Sequence, residues 1–166
     1  KLICMIGSFS EQKDQSTLIK AMQDLPKNIQ LLLIGEGPLK QENENLAKKI
    51  KVKNRVHVLG FRNDVDRILK TVDIVVLSSN WEGFGLAAVE GMAAGKPVIA
   101  SNVLGLGEVV SWAGKLFKKG DSEDLSNKIK MLIKNNIRGV DMFLLLLSAK
   151  LQAPKDYMSA LQKGGG

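Results

Sequence analysis

The stretch Asp73-Ile74-Val75-Val76-Leu77-Ser78-Ser79-Asn80-Trp81-Glu82-Gly83-Phe84-Gly85-Leu86-Ala87-Ala88-Val89-Glu90 decides the fold. Four consecutive apolar residues, three of them β-branched, follow Asp73 without polar alternation. That is the pattern of a central parallel strand buried on both faces. After a polar turn, two glycines flank Phe84 and an apolar segment begins. It is long enough for a helix over 86–94, which Gly95-Lys96-Pro97 then stops. A buried strand that turns through glycines into a helix is half of a βαβ unit.

The same unit recurs along the chain. Strands are expected over 2–6, 30–34, 56–59, 73–77, 97–100 and 114–117. Between and after them, helices are expected over 16–24, 39–50, 65–71, 86–94, 107–111 and 122–134. Strand–helix alternation with short connections gives a parallel sheet covered by helices on both faces. The fold class is therefore α/β, a Rossmann-like doubly wound domain over 1–136. A helical tail is expected over 137–163, with helices at 138–151 and 156–163, and a flexible glycine end over 164–166. Doubly wound sheets bind ligands beyond the carboxyl ends of their strands. The candidate loops are those after Ile6, Ile34, Leu59, Leu77 and Ala100.

Composition removes several function classes. With 45% apolar residues and both signs of charge, the chain of 166 residues is no disordered segment. One cysteine, Cys4, excludes an internal disulfide, and with His57 the lone histidine a Cys/His zinc site cannot be assembled. The longest apolar run, Met142 to Leu147, is far short of the roughly 20 residues that span a bilayer. The start does not resemble a signal peptide. A soluble, cytoplasmic protein is the expectation. The chain opens without Met, already inside a strand-like run, which suggests a piece of a longer protein.

The net charge of +7 comes mostly from scattered lysines, with one cluster at Lys48, Lys49, Lys51, Lys53 and Arg55. No aromatic residues interleave with that cluster, so no nucleic-acid partner is expected. A solvated helix end and loop is the first reading of it, and contact with an anionic membrane surface the second.

Chemistry concentrates in three loops. Gly83 and Gly85 let backbone amides approach a ligand where a helix begins, which suits a phosphate or sugar hydroxyls. Glu90 lies on a helix that is apolar nearly all round, about 40° from Leu86 and about 60° from Ala93. A largely buried carboxylate is expected there, and it must find donors: ligand hydroxyls, an internal cap or a basic side chain. Glu82 stands before the helix start, where a plain partner for the helix dipole is an equal reading. In the loop Gly7-Ser8-Phe9-Ser10-Glu11-Gln12-Lys13, Lys13 is placed either to reach phosphate oxygens or to lie on the surface. The loop Ser101-Asn102-Val103-Leu104-Gly105-Leu106-Gly107-Glu108 is a second glycine-rich turn, able to cradle a phosphate or simply tight.

Competing motifs fail. Only Gly7 follows the first strand, so the dinucleotide pattern Gly-x-Gly-x-x-Gly is missing and a nicotinamide or flavin cofactor is not expected. Gly91 to Pro97 echoes a P-loop with the wrong spacing, and it ends a helix instead of opening one. His57, within Arg55-Val56-His57-Val58-Leu59-Gly60, is expected in a strand.

Glu82 and Glu90, separated by seven residues and with Gly83-Phe84-Gly85-Leu86 after the first, resemble the E-x7-E signature of the retaining glycosyltransferase family 4, also called group 1. The resemblance runs in order from Met5 to Lys134. It includes Gly7 to Lys13, Leu33 to Pro38, Val58 to Phe61, Asp73 to Ser78, Gly95 to Ser101 and Gly105 to Glu108. It implies the C-terminal, donor-binding half of a GT-B fold, in which two Rossmann-like domains face each other across a cleft. The implied reaction is sugar transfer from a UDP- or GDP-type donor to an acceptor hydroxyl, with retention of configuration.

By the same resemblance, Glu90 would hold the ribose, while Glu82 and the amides of Gly83 to Leu86 would hold the sugar and diphosphate. Lys13 would neutralise the leaving diphosphate, making Glu82 and Lys13 the catalytic pair. Gly7 and Ser8 would border the donor, Gly60 and Phe61 would lie near the base, and Gly105 and Gly107 would line the pocket. No metal or other cofactor is implied. The acceptor site would come from an absent N-terminal domain, leaving the fragment alone inactive, and a peripheral membrane role would suit the charge. Many members carry Arg where this chain has Ser8, so donor binding should weaken unless another basic group replaces that clamp. A non-catalytic nucleotide-sugar-binding module and a nucleotide-sugar epimerase are the alternatives, the second disfavoured by the E-x7-E segment.

Overall fold

Period-two alternation sorts the strand side chains between two cores. The computed structural model describes residues 1–111 and 113–135. Its strands are β1 (Leu2–Ile6), β2 (Gln30–Ile34), β3 (Val56–Gly60), β4 (Ile74–Leu77), β5 (Val98–Ser101) and β6 (Lys115–Phe117). Its helices are α1 (Gln15–Ala21), α2 (Lys40–Lys49), α3 (Val65–Thr71), α4 (Leu86–Ala93), α5 (Leu106–Ser111) and α6 (Ser122–Lys134). Ile3 and Met5 of β1 meet Leu18, Ile19, Ala47, Leu125 and Ile129 of α1, α2 and α6. Cys4, between them, joins Leu69, Ala88 and Val110 of α3, α4 and α5 on the opposite face. Burial pushes the Cys4 thiol up to about 12, against a smaller pull from Lys96, so it stays protonated and inert.

The sheet order is β3-β2-β1-β4-β5-β6, and every adjacent pair is parallel. The chain runs outward through β2 and β3, returns by α3 to β4 on the other side of β1, and continues outward through β5 and β6. Right-handed crossovers require the helices to change face when the direction reverses. That reversal lies between β1 and β4, the point at which doubly wound sheets bind ligands beyond the carboxyl ends of their strands. The doubly wound α/β expectation is met. Among the described residues, no helix is long and apolar enough to cross a membrane. The helices expected over 138–151 and 156–163, and the glycine end, lie outside the described residues.

Local chemistry moves some boundaries. Helix α1 begins earlier than expected because Asp14 caps it, accepting from the Thr17 amide (3.3 Å) and the Ser16 hydroxyl (2.7 Å). Strand β4 begins at Ile74 because Asp73 has other partners: the Lys1 ammonium at 2.9 Å and the Leu2 amide at 2.7 Å. Partial burial pushes the Asp73 carboxyl up, but these hydrogen bonds outweigh it and hold the group below the usual carboxylate range. His57 lies in β3 as expected, bonded to Gln30 Oε1 at 2.8 Å.

One part of the basic cluster is corrected. Lys48, Lys49 and Lys51 are solvated, but Arg55 is only 9% exposed. Its guanidinium donates to the carbonyls of Met22 (2.5 Å), Pro26 (3.2 Å) and Leu25 (3.3 Å). The residues beyond α1 have carbonyls without helical partners, and a planar fork can serve several at once. Arg55 is a clamp on that turn and takes no part in a basic surface.

Candidate functional site

The β1–α1 and β4–α4 loops meet at the reversal point and are tied together by backbone and side chains. The Asn80 amide donates to the Gln12 carbonyl at 2.7 Å, and Asn80 Nδ2 donates to the Glu11 carbonyl at 2.8 Å. The buried Ser78 hydroxyl donates to the Asp14 carbonyl at 2.7 Å. Gln15 Nε2 braces the first loop from behind through the Ser8 carbonyl at 2.8 Å. With both loops fixed, Lys13 and Glu82 form an ion pair whose side chains are 18% and 11% exposed. The two positions are 69 residues apart in sequence, and β1 and β4 bring them together as sheet neighbours.

The Glu82 carboxylate is used unevenly. Lys13 Nζ donates to Oε2, and Ser79 Oγ donates to the same oxygen at 3.3 Å. Among the described residues, Oε1 has no hydrogen-bond partner. The turn that carries Glu82 ends at Gly85, which caps α4 in the left-handed region with φ 73°, a conformation open to glycine at little cost. Gly105, also left-handed at φ 79°, backs the turn so closely that a Cβ there would stand 2.1 Å from the Gly83 carbonyl oxygen.

Beside this pair opens a cleft of about 770 Å³. Gly7 and Ser8 form one edge, Phe61 and Arg62 another, and Glu90 with Ala93 and Ala94 the wall from α4. Gly7 joins the two regions, because the Lys13 methylenes lie 3.2 Å from where its Cβ would be. The expected site thus falls into three groups. Gly7, Ser8, Phe61 and Glu90 line the cleft, and Gly60 adjoins it beside the carboxylate of Glu36. Lys13, Glu82 and the turn Gly83, Phe84, Gly85 and Leu86 lie alongside. Gly105 and Gly107 are absent from the cleft lining; Gly105 supports the Glu82–Gly83 backbone from behind.

The burial expected of Glu90 is overturned: the residue is exposed. Helix α4 is apolar nearly all round, but it meets the sheet through its small residues Ala88 and Gly91. Leu86 and Val89 point away, 68% and 37% exposed, while Met92 packs against the core. Glu90 shares that outer side, and among the described residues neither an internal cap nor a basic side chain holds its carboxylate.

Sequence reading missed Glu36, Arg62, Asp66 and Lys70, which place two acidic and two basic groups on the cleft wall. Arg62 is paired with Asp64 through Nε (2.8 Å) and Nη2 (2.7 Å). The hydrogen bond from Arg62 holds the partly exposed Asp64 carboxyl below its ordinary range. Their signal was position: Arg62 directly follows Phe61 in a loop already singled out.

Comparison with known proteins follows the same lines. The profile of the family described as glycosyl transferases group 1 matches residues 1–142. An uncharacterized glycosyltransferase of Methanocaldococcus jannaschii is 40% identical over 134 residues, covering 78% of this chain and 37% of the relative. Among solved structures, Anabaena Alr3699/HepE in complex with UDP and glucose superposes with a TM-score of 0.78 at 30% identity. That match covers 81% of this chain and 39% of the other. The catalytic domain of cholesterol-alpha-glucosyltransferase from Helicobacter pylori superposes at 0.76 with 30% identity, covering 89% of this chain and 97% of that one. The chain therefore spans well under half of the M. jannaschii and Anabaena proteins, and nearly all of the H. pylori domain.

Proposed function

Because the chain belongs to the group 1 glycosyl transferases, we propose that it is the donor-binding half of a retaining GT-B glycosyltransferase. It transfers a sugar from a nucleotide-sugar of the UDP or GDP type to an acceptor hydroxyl. A second domain supplies the acceptor side, and the chain alone does not turn over.

The observation that carries this reading is the meeting of Lys13 and Glu82 at the sheet's reversal point, beside a cleft with Glu90 on its wall. The nucleoside occupies the cleft, with its ribose hydroxyls donating to Glu90 and its base near Phe61. The diphosphate lies over Gly7, where Lys13 exchanges its carboxylate partner for phosphate oxygens. The amides that open α4 add partial positive charge to the same place. As the bond from the sugar to the diphosphate breaks, negative charge grows on the leaving oxygen. A fixed ammonium and fixed amides stabilise that charge without reorganising, so no resident metal is required by this reading. Glu82 Oε1 accepts from a hydroxyl of the transferred sugar. Arg62 and Lys70, on the cleft that Ser8 borders, are the basic groups that offset the arginine missing at position 8.

Calorimetry tests the ribose assignment. UDP or GDP should bind the chain at least tenfold more tightly than its 2′,3′-dideoxy counterpart, since a hydrogen bond to a charged group contributes about 1.5–3 kcal/mol. Glu90→Ala should erase that preference. An unchanged ribose preference in Glu90→Ala, or no binding of either nucleotide by the wild type, would overturn the reading.

A further inference from the structure

The dipeptide Ser78-Ser79 directly follows β4, and both residues are fully buried. Ser78 donates to the carbonyls of Asp14 (2.7 Å) and Lys13 (3.2 Å) at the start of α1. Ser79 donates to Glu82 Oε2 at 3.3 Å and accepts the Ser101 hydroxyl on its own carbonyl at 2.5 Å. One serine therefore fixes the backbone that carries Lys13, and its neighbour reaches the carboxylate that pairs with Lys13.

This has a consequence for a bound donor, given the reading above. When a diphosphate draws Lys13 away, Glu82 loses its ion-pair partner. We propose that Ser79 is the positioning residue that then keeps the Glu82 carboxylate in place. Its hydroxyl is cut off from water and has Glu82 as its only acceptor among the described residues, so the bond persists after the ammonium leaves. Holding by Oε2 leaves Oε1 directed at the sugar. Ser101, on the adjacent strand β5, anchors Ser79 in turn.

The test is the side-chain order of Glu82, read by carbon-13 relaxation in wild type and Ser79→Ala, with and without inorganic pyrophosphate. Wild type should stay rigid in both states. Ser79→Ala should be rigid without pyrophosphate, while Lys13 still holds the carboxylate. With pyrophosphate bound, its side-chain order parameter should fall well below that of the wild type in the same state. Ser79→Cys, matched in size but a weak donor, should behave as the alanine variant and guards against a packing defect. If Glu82 stays rigid in both variants while pyrophosphate shifts the Lys13 signal, the role of Ser79 is wrong and the diphosphate reading stands. If pyrophosphate leaves the Lys13 signal unmoved in the wild type, the diphosphate reading fails, and this proposal with it.

Discussion

Gly105→Ala separates the cost of an unusual backbone from the cost of displacing the turn that carries Glu82. Gly105 and Gly95 have nearly the same conformation, with φ 79° and 70°. A Cβ at Gly95 meets nothing within 4 Å, whereas one at Gly105 stands 2.1 Å from the Gly83 carbonyl oxygen and 2.7 Å from that of Glu82. The backbone term alone is about 1–2 kcal/mol, partly offset by the lower entropy of an unfolded chain with alanine. Gly95→Ala should therefore lose about 1 kcal/mol. At Gly105, restoring an ordinary carbon–oxygen contact of about 3.3 Å requires the Gly83 carbonyl to retreat by about 1.2 Å. Because that atom is backbone, the turn carrying Glu82 must move with it, and the total loss should reach about 3 kcal/mol. Urea denaturation of the two variants side by side reads the difference. A displacement near 1 Å in a positioning element costs on the order of 100-fold in rate, so under the proposed function the full-length protein should lose sugar transfer with Gly105→Ala and retain it with Gly95→Ala. Equal stability losses in the two variants would refute the reasoning.

Arg55→Met should be among the more destabilising single changes, by about 3 kcal/mol, because three carbonyls near the end of α1 lose a charged donor in a buried setting. Arg55→Lys should recover only part of this, and thermal denaturation should show a drop of roughly 10 °C for the methionine variant. Asp73 gives a pH signature. Its folded-state carboxyl is held below its ordinary value near pH ~3.9, so its contribution is complete above that value and disappears as pH falls through the lower folded one. Asp73→Asn should flatten the acid limb of the stability profile below the ordinary carboxylate value; an unchanged limb would mean that Lys1 and Leu2 do not hold it. The effect is small because both side chains are substantially exposed.

The strands were legible in the sequence because burial on both faces leaves an unbroken apolar signature, as in Ile74 to Leu77. The helices were legible because their stripes and stops are local. Glu82 and Lys13 were joined only through the family resemblance, since spacing along the chain does not indicate which residues sheet pairing will bring together across 69 positions. Arg55 was missed for a related reason: a guanidinium beside four lysines looks solvated until the turn after α1 packs over it. The burial assigned to Glu90 failed because hydrophobicity around a helix does not tell which side meets the sheet. In α4 Ala88 and Gly91 do so, while Leu86, Val89 and Glu90 are left exposed.

The central claim is that a nucleoside diphosphate spans the cleft and the Lys13–Glu82 pair. Backbone amide shifts of the chain titrated with UDP and with GDP test it most directly. Saturable shifts with at least one of them should cluster at Gly7, Ser8, Lys13, Phe61, Glu82 to Leu86 and Glu90. No saturable shift with either nucleotide, or shifts confined to the groove between α1 and α2 lined by Ser16, Lys20 and Asn43, would contradict it.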